Sequence, residues 1–164
     1  MTYIVELVED ELTVHAIHRL LAGLPDGTDI EAARSPWFVS VGPPPAGVPI
    51  TTAMVDAGAL TLVLPDREVL LRPRPELLAA ARDLDSSRLD VGLAALPAHD
   101  LSYQHGVDHV RAAVASGAAQ AGVLLRPATV AQIEATAHGG ERMPPKTTFF
   151  HPKPKTGLVF RSLG

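Results

Sequence analysis

The sequence predicts a mixed α/β (α+β) fold, a sheet with helices packed on it. Three observations carry this. The second half alternates strand-like and helix-like segments punctuated by Gly and Pro. An apolar fraction of 46% over 164 residues is enough for one hydrophobic core. No stretch is long enough to act as a linker between domains, so residues 1–164 read as a single domain, with a lobe boundary, if there is one, at 42–49.

Taken in order, Thr2–Val8 alternates and is rich in β-formers, which predicts a strand. Leu12–Leu21 is apolar and fits strand or helix, and Pro25-Asp26-Gly27 closes it as a turn. Asp29–Ser35 reads as a short helix capped by Thr28, and Trp37–Val41 as a short strand. Gly42-Pro43-Pro44-Pro45-Ala46-Gly47 reads as a stiff connector. Ile50–Ala57 is a helix ended by Gly58. Ala59–Leu64 and Glu68–Arg72 flank Pro65-Asp66-Arg67 as a hairpin. Pro75–Arg82 and Ser87–Leu96 are helices, the first with Pro in its opening turn and the second capped by Asp85 or Ser86. Leu101–Gln104 is a strand, Val107–Ser116 a helix stopped by Gly117, and Ala121–Leu125 a buried strand. Thr129–Ala137 is a helix capped by Thr129 and ended by Gly139-Gly140. Residues 141–156 read as loop and Gly157–Arg161 as a closing strand.

Composition excludes several classes. There are no cysteines, hence no disulfide or thiolate metal site. No run approaches the roughly eighteen apolar residues of a membrane span, and the acidic start (Glu6, Glu9, Asp10) is the wrong charge for a signal peptide. A cytoplasmic protein without membrane partners is expected. Charge is asymmetric. Residues 1–141 hold nine Arg, no Lys and all eighteen acids, a balance of −9, whereas residues 142–164 hold Arg142, Lys146, Lys153, Lys155 and Arg161 and no acid, a balance of +5. A body that acidic argues against nucleic acid as a partner, which needs a broad basic face. Elsewhere the cation is always Arg, so three lysines within ten residues look selected for a compact, mobile ammonium.

Those lysines lie in MPPKTTFFHPKPKTG, Met143–Gly157. Its prolines stiffen the backbone, Lys146, Lys153 and Lys155 supply ammonium donors, Thr147, Thr148 and Thr156 supply hydroxyls, and His151 adds a switchable donor. Cations and hydroxyls on a rigid loop suit a small anion such as a phosphate or carboxylate; the bland alternative is a Pro-rich surface loop with solvated lysines. Lys155-Thr156-Gly157 also occurs in penicillin-recognising enzymes, but no Ser-x-x-Lys accompanies it. His18–Arg19 is a second anion-facing candidate, and Arg126, at the C-terminal edge of a buried strand, a third. For metal, His15–His18 lacks a third ligand, and His105–His109 around Asp108 sits where a helix start is expected, so no metal site is assigned. No Gly-rich phosphate loop and no G-x-S-x-G is present.

The residues at Glu141, Met143, Pro144, Lys146, Thr147, Thr148, Phe150, Pro152, Lys153, Thr156 and Gly157 match the pattern M-P-x-K-[ST]-T-[YF]-F-x-P-K with T-G-L following. In this the chain resembles the family called domain of unknown function 1015, over nearly its whole length. Members of that family are more than twice as long, and their N-terminal portion carries D-G-H-H-R-Y, similar to the nucleotide-binding strip of ParB/sulfiredoxin-like proteins, a group that includes kinases for free serine. D-G-H-H-R-Y is absent here. The resemblance therefore implies a partial or truncated version of a larger two-lobed fold. The chain would be the anion- or phosphate-binding C-terminal module of a small-molecule kinase-type enzyme, inactive alone, with a nucleotide cofactor only if the missing portion is supplied. The alternative is a non-catalytic interaction module, completed by a separate N-terminal partner chain or by homodimerisation through the edge of Thr2–Val8.

Overall fold

The computed structural model describes residues 13–140 and 142–151. In chain order the elements are β1 (Thr13–Ala16), β2 (His18–Ala22), α1 (Ile30–Arg34), β3 (Phe38–Ser40), α2 (Ile50–Ala57), β4 (Leu60–Val63), β5 (Glu68–Pro73), α3 (Pro75–Ala80), α4 (Asp85–Leu93), β6 (Asp100–Gln104), α5 (Val107–Ala115), β7 (Ala121–Leu124), α6 (Val130–His138) and β8 (Thr148–His151). The fold is mixed α/β. Six strands form one sheet in the order β3-β5-β4-β7-β2-β6, and β1 pairs with β8 in a separate ribbon. Every one of these pairings is antiparallel. β3, before the Pro-rich connector, and β4 and β5, after it, belong to the same sheet. No helix among the described residues is long and apolar enough to cross a membrane.

The central strands β4 and β7 are buried at every position because helices cover both faces. On one face Leu60, Leu62, Leu71 and Val123 pack with Leu77 of α3 and Leu89 of α4. On the other Val63, Leu70 and Leu124 pack with Met54 of α2 and Val110 and Val114 of α5. Successive side chains of a strand point to opposite faces, so a strand between two helical layers needs apolar residues at every position. Thr61 of β4, whose buried hydroxyl has no hydrogen-bond partner, and Gly122 of β7 depart from this. Gly122 lies where α5 presses on the sheet, and a Cβ there would overlap Cγ1 of Val110.

Local chemistry sets the boundaries. α2 ends at Gly58, whose left-handed φ of 59° lets its N–H cap the carbonyls of Met54 and Val55. α6 opens with a reciprocal capping box between Thr129 and Gln132. The β4–β5 hairpin closes with Leu64 N–H donating to Arg67 O at 2.8 Å. Three expectations need correction. The cap of α1 is Asp29, whose carboxylate accepts from Ala32 N–H, while the Thr28 hydroxyl donates to Pro25 O. α4 starts at Asp85 and its cap position, Leu84, offers no side-chain acceptor. Leu12–Leu21, which fitted strand or helix, is extended over its described part and splits at buried Ile17 into β1 and β2, which join different sheets. Residues 148–151, expected as loop, are β8, because the run Thr148-Phe149-Phe150 is itself β-forming and β1 offers it a partner. The strands expected at Thr2–Val8 and Gly157–Arg161 lie outside the described residues.

Gly122→Ala is expected to cost about 1–3 kcal/mol through overpacking against Val110. Urea denaturation should show a lower midpoint with an unchanged slope.

Candidate functional site

A cleft of about 590 Å³ opens where β7 runs out into Leu125-Arg126-Pro127 and the first turns of α4 and α6 meet it. Val14 of β1 and Thr147 close its rim. The C-terminal-edge rule that singled out Arg126 belongs to parallel α/β sheets; here an antiparallel sheet reaches the same outcome by placing two helix starts beside the strand end.

Asp85 organises the cleft. Its carboxylate accepts from the Arg126 backbone N–H at 3.0 Å, Nε at 2.9 Å and Nη2 at 2.6 Å. That fork is bidentate and charge-assisted, and hydrogen bonding to Asp85 raises the Arg126 pKa above its ordinary value. Arg88, one turn on, places Nη1 3.7 Å from Asp85 and bonds Asp83 through Nη2. The Arg88 side chain is 9% exposed, and its Nε is buried without a partner. Ser86 Oγ lies 3.0 Å from Thr147 Oγ1. Since the Thr147 hydroxyl donates to Pro144 O at 2.7 Å, Ser86 is the donor in that pair. With no side-chain cap on α4, the amides of its first turn, which include Ser86, are left to the partial positive charge of the helix start.

The positions predicted from sequence fall into three groups. Arg126 and Thr147 line the cleft. Arg19, Lys146, Thr148 and His18 form its support. Lys146 is exposed, adopts a left-handed φ of 58°, and its carbonyl accepts from Arg19 Nη1 at 3.2 Å. Arg19 is 2% exposed, also bonds Ile17 O at 2.6 Å, and stacks at 4.6 Å over Tyr103. Burial pulls its pKa below the ordinary guanidinium value, against the opposing pull of Tyr103 and Asp90. Thr148 is half-buried at the start of β8. His18 is buried and does not line the cleft; its Nδ1 accepts the Leu125 N–H at 3.2 Å, just before Arg126. Burial first, then His105 and Arg19, push its pKa down to about 4, so at neutral pH it is uncharged. Lys153, Lys155 and Thr156 lie outside the described residues, as does the side chain of His151. Asp85, Ser86 and Arg88 were not foreseen as site residues. The signal was there in Asp85-Ser86, but it read as helix capping.

The histidine pairs do not assemble a metal centre. His105 stands edge-on to Phe149 at 4.6 Å and His15 lies at 6.3 Å from the same ring. Among the described residues no group of His, Asp or Glu is arranged to hold a metal ion.

No family model and no curated protein matches the sequence. Solved structures match in fold. A free serine kinase in complex with AMP superposes with a TM-score of 0.59 at 15% identity, over 90% of this chain and 57% of that one. A variant of a free serine kinase in complex with ADP gives 0.56 at 17% identity, over 91% and 58%. A conserved hypothetical protein from Pyrococcus furiosus gives 0.57 at 15% identity, over 90% and 60%. The chain thus spans a little over half the length of the structures it matches.

Asp85→Asn is expected to destabilise the fold by about 2–4 kcal/mol, because it removes the carboxylate that neutralises a partly buried Arg126 and Arg88. Chemical denaturation checks this. For His18 the folded pKa lies below the unfolded value of 6.5. Stability is therefore full above pH 6.5 and declines as pH falls toward 4, where the folded state resists a proton that the unfolded state accepts. Between those limits His18→Gln should flatten the dependence of unfolding free energy on pH by up to about 1.4 kcal/mol per unit.

Proposed function

We propose that this chain binds a small phosphate-bearing anion in the cleft at the starts of α4 and α6, and that it is the C-terminal module of a ParB/sulfiredoxin-like, small-molecule kinase-type protein of the domain of unknown function 1015 family. The observation that carries the reading is the α4 start. An uncapped helix end, the Ser86 and Thr147 hydroxyls and the Arg88 and Arg126 guanidiniums are gathered around one concavity. The Met143–Gly157 pattern and the fold likeness to a free serine kinase support it independently.

Within the cleft the roles divide by chemistry. Ser86 and Thr147 supply hydroxyls to phosphate oxygens. Arg88 and Arg126 supply guanidinium N–H donors from positions fixed by Asp83 and Asp85. Lys146, exposed on the turn before Thr147, adds a mobile ammonium at the rim. Leu125, Pro127 and Val130 give the remaining wall an apolar character suited to the organic part of a phosphate ester. The nucleotide, and turnover, belong in this reading to the portion that the longer relatives carry.

Thermal unfolding followed against inorganic phosphate, phosphoserine and AMP tests the reading. At a ligand concentration of about 100 times Kd the gain is about 2.7 kcal/mol, a rise in Tm of about 5–10 °C. Thr147→Val and Lys146→Ala should each reduce the rise. Absence of a shift with all three ligands rejects the assignment.

A further inference from the structure

The cleft is larger than a phosphate group requires. Its volume of about 590 Å³ lies within the range of roughly 300–1,000 Å³ found for pockets that enclose small organic molecules. The two helical layers bring different chemistry to it. From the layer on one face of the sheet, α4 contributes Ser86 and Arg88, which join Arg126 and Thr147 as the polar lining. From the layer on the other face, α2 contributes Val55. Met54, the residue before it, is fully buried under α2, whereas Val55 is 60% exposed, the most exposed large apolar side chain among the described residues. Val14, Pro127 and Val130 also line the cleft, and none of them is fully covered by the core. Single exposed apolar side chains are ordinary on a protein surface. Four of them around one concavity that also gathers anion donors form a seat for an apolar body.

Charge sets the second limit. The charged side chains that line the cleft are Asp83, Asp85, Arg88 and Arg126. Both carboxylates are engaged, Asp85 by Arg126 and Asp83 by Arg88. The guanidinium N–H groups left over, such as the unpartnered Nε of Arg88, suffice for one anionic group. A phosphate that takes them leaves no lining cation for a second. An amino-acid ester carries a carboxylate as well as its phosphate. In this cleft that carboxylate would face Asp83 and Asp85 with no cation of its own, and a charge withdrawn from water without a partner is costly.

We propose that the ligand of this cleft is a monophosphate ester whose organic part is uncharged and apolar, seated against Val55, Val14 and Val130, and that amino-acid phosphates are selected against. The inference rests on the anion site proposed above and narrows its substrate class.

Calorimetric titration of the full chain with inorganic phosphate, phenyl phosphate and phosphoserine tests it. Phenyl phosphate should bind at least about tenfold more tightly than inorganic phosphate, because the ring leaves water for an apolar wall. Phosphoserine should bind no more tightly than inorganic phosphate. Val55→Thr keeps the side chain's size and exchanges one methyl for a hydroxyl at an exposed helix position. It should weaken phenyl phosphate about threefold and leave inorganic phosphate unchanged. Phosphoserine bound as tightly as phenyl phosphate, or phenyl phosphate bound no more tightly than inorganic phosphate, overturns the inference. Equal weakening of phosphate and phenyl phosphate by Val55→Thr does the same. In each of these outcomes inorganic phosphate still binds and the anion site stands. Binding of none of the three rejects the anion site itself, and the apolar seat with it.

Discussion

One buried guanidinium holds the architecture around the cleft together. Arg19 is 2% exposed, so its charge is tolerable only if its donors are satisfied and its plane is covered. Two carbonyls on Nη1 and the ring of Tyr103 meet part of that need, while Nε is buried without a hydrogen-bond partner. The two carbonyls belong to Ile17 and Lys146, residues far apart in sequence. Satisfying Arg19 therefore fixes both the place where β1 leaves the sheet and the turn that delivers Thr147 to α4. Its neighbour His18 does related work from the other side of the strand, accepting the amide of Leu125 and so setting the exit of β7 that carries Arg126.

The second constraint is the use made of Asp85. At the start of a helix an acid ordinarily favours the helix dipole and caps amides. Here the carboxylate turns outward to Arg126 and accepts three hydrogen bonds from that one residue. The strand end is thereby tied to the helix start, and the α4 cap position is left without a side-chain acceptor. Stability of the junction and openness of the helix end come from the same substitution of partners.

Much of the fold was legible because it rests on local rules. Gly58, Pro75, Thr129 and the Pro65-Asp66 turn each mark a boundary through a backbone preference, and each boundary formed close to where those residues stand. β7 was legible as a buried strand from the run Ala121–Leu125, and β4 as one arm of a hairpin. What was not legible depends on long-range partners. The split at Ile17 has no sequence marker, since Leu12–Leu21 carries neither Gly nor Pro; it exists because β8 captures the first half of the strand. β8 was hidden by its neighbours, a Pro-rich and Lys-rich context that reads as loop. Among the site residues, Thr147 and Arg126 carried a chemical signal, whereas Ser86 and Arg88 look like an ordinary helix start until Thr147 and Asp83 are placed beside them.

The charge asymmetry of the sequence acquires a different meaning once partners are assigned. Arg126 and Arg88 face Asp85 and Asp83, and Arg19 is enclosed, so the arginines near the cleft bring little uncompensated charge to it. Electrostatic attraction by surplus cations is then a small part of recognition on the proposed reading. The larger part falls to neutral groups, the amides at the α4 start, which have no side-chain cap, and the Ser86 hydroxyl, which would exchange Thr147 Oγ1 for the ligand. Donors of that kind discriminate by geometry more than by charge. The acidic body and the basic closing segment need not act as opposite poles of one field: the cleft works, on this account, because its ions are already paired and its hydroxyls are not committed to anything stronger than each other and one carbonyl.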